Sequence, residues 1–206
     1  MLEARNLECT RGDHVLFSNL SFSLNEGELI HLCGSNGSGK TSLLRIISGL
    51  LSPTEGEVLW NGEDIKGLRE DYNTELSYFG HHNAIKDVFT GIENLEMANK
   101  LAGVEATEDE LLDALDKMGL QGREDLPTKF LSQGQKRRVA LSRLLFSKKK
   151  LWILDEPFSA LDVKAVEFLQ SVIAAHLENQ GMVMLTTHQD VALTSGNVRT
   201  INMDNK

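Results

Sequence analysis

The stretch Gly34-Ser35-Asn36-Gly37-Ser38-Gly39-Lys40-Thr41 constrains this chain more than any other. Its G-x-x-x-x-G-K-[ST] spacing lets successive backbone N–H groups turn inward around phosphate oxygens, because glycine tolerates backbone angles that other residues avoid. Lys40 is placed to reach the β and γ phosphates of a nucleotide, and the Thr41 hydroxyl to bind Mg²⁺. The flanks agree with this reading. Glu28 to Cys33 has the composition of a buried strand, and Thr41 to Ser48 reads as a helix whose N-terminal dipole would face the anion.

A chain of 206 residues suits one domain, or one domain with a subdomain, and can bury a substantial core. With 41% hydrophobic and 25% charged residues it has the composition of a globular protein. A formal net charge of -9 argues against a broad nucleic-acid surface, which needs a basic face, so no nucleic-acid partner is expected. No apolar run approaches the roughly 18–20 residues of a membrane span, and the first residues lack the cationic start and apolar stretch of a signal peptide. Cys9 and Cys33 both fall in expected strands and read as reduced core residues of a cytosolic protein.

Around the loop, Leu2 to Cys9 and Val15 to Leu24 alternate loosely as strands across the turn Arg11-Gly12-Asp13. Glu57 to Trp60 with Asn61-Gly62 predicts a short antiparallel hairpin strand, and Leu76 to Gly80 a further strand ending at His81-His82-Asn83. Two capping boxes follow. Thr90 with Glu93 opens a helix to Leu101, and Thr107 with Glu110 opens one whose Leu111, Leu112, Leu115 and Met118 share a face. Residues 84 to 131 therefore read as an inserted helical subdomain. An α/β core would be shared between 1–83 and 132–206. There a helix is expected from Gln135 to Ser147, and a central parallel strand at Leu151 to Leu154. A helix from Val163 to Glu178, a strand from Met182 to Thr186 and an edge strand in the tail from Thr194, around Val198 to Met203, complete the pattern.

Leu151-Trp-Ile-Leu-Asp155-Glu156 ends an apolar strand in two carboxylates. Asp155 suits a hydrated Mg²⁺, while strand alternation aims Glu156 elsewhere, towards the water that attacks a γ-phosphate. Leu131-Ser132-Gln133-Gly134-Gln135 offers a second anion site at a helix N-terminus, or else a plain serine cap. Two phosphate sites with one nucleotide invite a symmetric dimer in which each faces the other copy's loop. His188, after the strand ending at Thr186, can hydrogen-bond the γ-phosphate.

These segments, in this order and with Ser159-Ala-Leu-Asp162, resemble the ABC-type ATPases along essentially the whole chain: phosphate loop, signature, acidic strand, D-loop and switch histidine. The resemblance implies an α/β P-loop NTPase fold with a RecA-like core, an antiparallel β subdomain and the helical insertion. It further implies a head-to-tail homodimer sandwiching two ATP molecules with Mg²⁺. Gly34 to Thr41 and Ser42 would bind the nucleotide, Ser132, Gly134 and Gln135 would meet the ATP of the partner copy, and Asp162 would couple the two sites. Lys40, Glu156 and His188 are the implied catalytic set, with Thr41 and Asp155 at the metal.

Lys136-Arg-Arg-Val-Ala-Leu, Leu-Trp-Ile-Leu-Asp-Glu-Pro-Phe158 and Leu-Thr-Thr-His-Gln189 are similar to one subfamily, the ATP-binding subunits of bacterial cytochrome c maturation transporters. That likeness implies ATP hydrolysis for haem export or haem-chaperone release, an integral membrane permease as partner, and a peripheral place on the cytoplasmic face of the inner membrane. The rival expectation is a soluble ABC ATPase of an assembly pathway such as iron–sulfur cluster biogenesis. Three positions depart from the family pattern. Gln133 replaces a glycine, His82 stands where a glutamine normally contacts the metal and water, and Arg11 stands near the usual adenine-stacking aromatic.

Overall fold

The computed structural model describes residues 1–189 and 197–204. They form two compact units, one of residues 1–80, 149–157, 173–189 and 197–204, the other of 81–148 and 158–172.

The first unit holds two sheets. Strands β1 (Leu2–Arg11), β2 (His14–Leu24), β4 (Glu55–Trp60) and β5 (Glu63–Asp64) pair antiparallel in the order β2-β1-β4-β5. Along β1, Leu2, Ala4, Leu7 and Cys9 face the core, and a bulge between Ala4 and Leu7 resets the alternation. The second sheet is wholly parallel. It runs β6 (Leu76–Phe79), β7 (Leu151–Asp155), β8 (Met182–Thr186), β3 (Glu28–Cys33) and β9 (Asn197–Asn202). Every residue of β7 and β8 is buried, as continuous apolar runs covered on both faces require. β9 is the expected edge strand, paired to β3, while Thr194 lies outside the described residues.

Helix α1 (Lys40–Ile47) follows β3 through the glycine-rich loop. Its Leu43, Leu44, Ile46 and Ile47 are buried in one core with Leu7 and Cys9 of the antiparallel sheet and Ile30, Ile153 and Met184 of the parallel one. The helix is thus held from both sides, which fixes where its N-terminus points. Two short helices that the sequence pattern did not suggest, α2 (Ile65–Leu68) and α3 (Glu70–Glu75), carry Tyr72 inward. Its hydroxyl donates to the Ile47 carbonyl at 2.7 Å, locking the end of α1, and burial pushes that phenol's pKa well up.

In the second unit, α4 (Gly91–Leu101) and α5 (Glu108–Lys117) start at the expected capping boxes, with both reciprocal bonds formed at Thr90/Glu93 and Thr107/Glu110. Those bonds hold the Glu110 carboxyl below its usual range. They pack with α6 (Gln133–Ser142). α6 is shorter than the expected helix, because the chain tightens into a 3-10 turn over Arg143–Phe146. Helix α7 (Val163–Glu178) matches its expected bounds.

Candidate functional site

The loop between β3 and α1 is built as an anion cradle. Gly34 (φ 137) and Gly39 (φ 99) adopt angles in the left-handed region that favours glycine. A side chain at Gly34 would also press on Ser38 and Met203, and one at Gly39 on Phe17. Asn36 and Gly37 form the exposed tip, while Ser38 is buried and its hydroxyl has no hydrogen-bond partner. An orphaned buried hydroxyl inside a glycine-rich loop at a helix N-terminus fits a phosphate oxygen. Lys40 is buried, and its ammonium donates to the Gly34 carbonyl at 2.7 Å and the Ser35 carbonyl at 2.9 Å. It is therefore held in the loop by neutral acceptors, which leave its charge to be met by a phosphate.

Beside the cradle lies a hydrogen-bonded chain. Thr41 donates from Oγ1 to Asp155 Oδ2 at 2.9 Å, and Thr186 donates from Oγ1 to Asp155 Oδ1 at 2.8 Å. The Thr186 oxygen in turn accepts the Glu156 N–H at 2.9 Å. Asp155 is only 3% exposed, so both carboxylate oxygens depend on these partners. One hydroxyl and one carboxylate are hard donors of the kind Mg²⁺ takes, and two such groups leave most of its shell to water and phosphates. Among the described residues no cluster of three or more His, Cys, Asp or Glu side chains forms a self-sufficient metal cage.

Glu156 breaks the strand with φ 52, and this turn swings its carboxylate away from that of Asp155. There its Oε2 accepts the His188 N–H at 3.2 Å, and its Oε1 lies 3.5 Å from His188 Nε2. Glu156 is largely covered and His188 half exposed. Lys40, Thr41, Ser42, Asp155, Glu156 and His188 all belong to the first unit.

The second unit carries His82, Ser132, Gly134, Gln135 and Asp162. Ser132 caps α6: its Oγ accepts the Gln135 N–H at 3.3 Å while Gln135 Oε1 accepts the Ser132 N–H at 2.9 Å. The cap uses the serine oxygen as acceptor and leaves its proton to donate outward. Gly134 has a steric reason, since a Cβ there would stand 2.4 Å from the Ala160 carbonyl oxygen. Asp162 accepts the Ala165 N–H at 3.0 Å at the start of α7 and pairs with Arg138 at 2.5 Å. The helix N–H and then the guanidinium hold its carboxyl below the usual range. His82 is exposed and stands edge-on to His81 with ring centroids 5.7 Å apart. Buried Arg137 donates to the His81 carbonyl at 3.3 Å and to Asn83 Oδ1 at 3.1 Å, tying that segment to α6.

Sequence reasoning gave no role to Thr186, Arg137 or Arg138. The available signal for Thr186 was a polar residue closing the apolar run Met182 to Leu185, level with Asp155 in the neighbouring strand. The arginines carried none, because their partners lie far away in sequence.

Residues 17–159 match the ABC transporter family, and the chain belongs to it. The fold agrees: a putative ABC transporter ATP-binding protein from Pyrococcus furiosus superposes with TM-score 0.83 at 26% identity, covering 98% of this chain and 97% of that one. A dimeric bacterial ABC transporter cassette gives TM-score 0.83 at 25% identity over 98% and 95%.

Within that class the match narrows. The chain is 56% identical over 195 residues to the cytochrome c biogenesis ATP-binding export protein CcmA of Nitrosomonas europaea, covering 95% of this chain and 92% of the relative. It is 55% identical to the protein of that name from Dechloromonas aromatica (98% and 100% covered) and 46% identical to that from Escherichia coli K12 (98% and 96%). The chain is a member of this family of cytochrome c biogenesis ATP-binding export proteins.

Proposed function

We propose that the chain binds Mg²⁺-ATP at Gly34 to Ser42 and hydrolyses it to drive a membrane complex of c-type cytochrome biogenesis. It is an ATPase subunit of an ABC transporter. The observation that carries the mechanism is the Thr41–Asp155–Thr186–Glu156 chain, which links the phosphate loop to the backbone of Glu156, whose carboxylate meets His188.

In this reading Lys40, steadied by the Gly34 and Ser35 carbonyls, turns its ammonium to the β and γ phosphates, and Ser38 completes the cradle with the loop N–H groups not already bonded. Thr41 and Asp155 would hold Mg²⁺, which when bound would neutralise charge developing on the phosphates. Glu156 orients the attacking water and takes its proton, and His188 contacts the γ-phosphate from the other side of that carboxylate. Ser132 donates its free hydroxyl proton, with the α6 N-terminus and Gly134, to ATP held by a second copy, and Asp162 lies at that contact. His82, on the loop after β6, is the further residue proposed for nucleotide binding. ATP closes the homodimer and hydrolysis reopens it. The partner is an integral membrane permease. No helix among the described residues is long and apolar enough to cross a membrane, so the chain's place at the cytoplasmic face of the inner membrane would come from that partner.

We propose a functional division into 1–83 with 132–206 as core and β subdomain and 84–131 as the helical subdomain, which differs from the compact units in that those group 132–148 and 158–172 with the helices. The test of the mechanism is Glu156→Gln. It should lower ATP turnover by at least about a hundredfold, the scale of a lost general base, and leave an ATP-held dimer visible by size-exclusion chromatography. Normal turnover would remove Glu156 from its role. Recovery of a multi-span protein with the chain from detergent-solubilised membranes supports the transporter assignment; recovery of soluble scaffold proteins alone would refute it.

A further inference from the structure

The residues that follow β9 reach back to the phosphate loop. Met203 N–H donates to the Cys33 carbonyl at 2.9 Å, and buried Met203 lies against the position where Gly34 would carry a Cβ. Asp204 then accepts three bonds from one loop residue. The Ser35 N–H lies 3.0 Å from its Oδ1 and 2.9 Å from its Oδ2, and the Ser35 hydroxyl donates to Oδ1 at 2.7 Å. The Asn202 side-chain oxygen accepts the Asp204 N–H at 2.9 Å and steadies the turn.

The Gly34–Ser35 peptide is trans, so its C=O and N–H point in opposite directions. Asp204 holds the N–H end. The C=O end is the one that receives the Lys40 ammonium at 2.7 Å. The carboxylate and the lysine thus grip the two ends of one peptide dipole, and the glycine before it, lacking a Cβ, restrains the turn of that plane less than another residue would. Ser35 also offers its own carbonyl to Lys40 at 2.9 Å, so both acceptors that park the lysine are fixed through the residue Asp204 holds.

We infer that Asp204 is a positioning residue of the nucleotide site: through Ser35 it sets the Gly34–Ser35 peptide plane and so presents Lys40 to the incoming phosphates. This rests on the assignment of the loop to ATP. Asp204 touches no reacting atom in that assignment, and its effect should fall on affinity rather than on the chemical step.

The experiment is titration calorimetry with Mg²⁺-ATP on the purified full chain, with steady-state turnover and thermal melting alongside. Asp204→Ala should weaken ATP binding about 3- to 10-fold, the scale of one lost hydrogen bond, and raise KM by a similar factor with kcat within about twofold. Asp204→Asn keeps an acceptor oxygen and should recover at least half of the lost affinity, and Ser35→Ala should cost about twofold. Wild-type affinity in Asp204→Ala would overturn the inference, as would a lowered melting temperature with unchanged KM. Should Asp204→Ala not fold, unchanged affinity in both Asp204→Asn and Ser35→Ala would overturn it equally. Lys40→Ala separates the two claims. If it retains ATP, the loop assignment itself fails; if it loses ATP while the Asp204 variants keep it, only the positioning role fails.

Discussion

The phosphate-loop region of the first unit and the signature region of the second are built on opposite plans. Around the loop, Lys40 and Asp155 are buried, Glu156 is largely covered, and each charged group is bonded: Lys40 to two carbonyls, Asp155 to Thr41 and Thr186, and the Glu156 carboxylate to the His188 N–H. At the signature, Ser132 and Asp162 are exposed, and their polar groups serve the cap of α6, the start of α7 and the surface pair of Asp162 with Arg138. A buried network is rigid because any movement strands a charge away from water. An exposed cap costs little to hold and can add a partner without losing its own bonds. The contrast suits one region that binds its ligand alone and another that acts on a ligand brought by a second molecule.

Variants can break or sharpen that contrast. The largest effect belongs to Lys40→Ala, which removes the buried ammonium from the cradle and should abolish ATP binding and turnover at every protein concentration. A filter-binding or calorimetric titration checks it, and unchanged hydrolysis would sink the assignment of the loop. Ser132→Ala should leave ATP affinity of the dilute chain unchanged yet reduce turnover about tenfold or more, the scale of a lost transition-state contact, with about 1 kcal/mol lost from the α6 cap. Equal loss of affinity in both variants would erase the distinction between the regions.

Smaller effects concern stability. Gly134→Ala drives a Cβ against the Ala160 carbonyl and should lower stability by about 1–3 kcal/mol in chemical denaturation, as overpacking does. The smallest is pH-dependent. His176 stacks on Trp152 with ring centroids 3.8 Å apart, and burial lowers its pKa in the folded state. The unfolded chain then binds the proton more readily. Stability from this site is complete above the unfolded value of about 6.5 and declines as pH falls below it. His176→Phe keeps the stack and should flatten the melting temperature between pH 7 and pH 5 relative to the parent chain. An unchanged slope would remove His176 as its source.

Much of the architecture was legible because it rests on local rules. The loop glycines, the capping boxes at Thr90 and Thr107, and the apolar runs of β7 and β8 each announce one element through backbone angle, helix-end chemistry or burial. Elements lacking such signals were missed. α2 and α3 are too short for a helical period, and α6 ends early in a 3-10 turn that no residue type marks. The bonds of the site were less legible than its members. Asp155 and Glu156 could be named from the strand they end, whereas the placement of Thr186 between them follows from strand register alone.

What the sequence determined by itself is the set of reactive groups and the order in which they occur. A glycine pattern, a buried strand ending in two carboxylates and a serine-capped helix each follow from short-range sterics and hydrogen bonding. The tertiary structure decided which groups share a bond. It brought Asp204 onto Ser35 and Thr186 onto Asp155, and turned Glu156 towards His188. These contacts join residues distant along the chain, and only the pairing of β7 with β8 and of β3 with β9 sets their distances. The spacing of Gly34 to Thr41 specifies a loop suited to phosphate; the parallel sheet beneath it determines which carboxylates stand beside that loop.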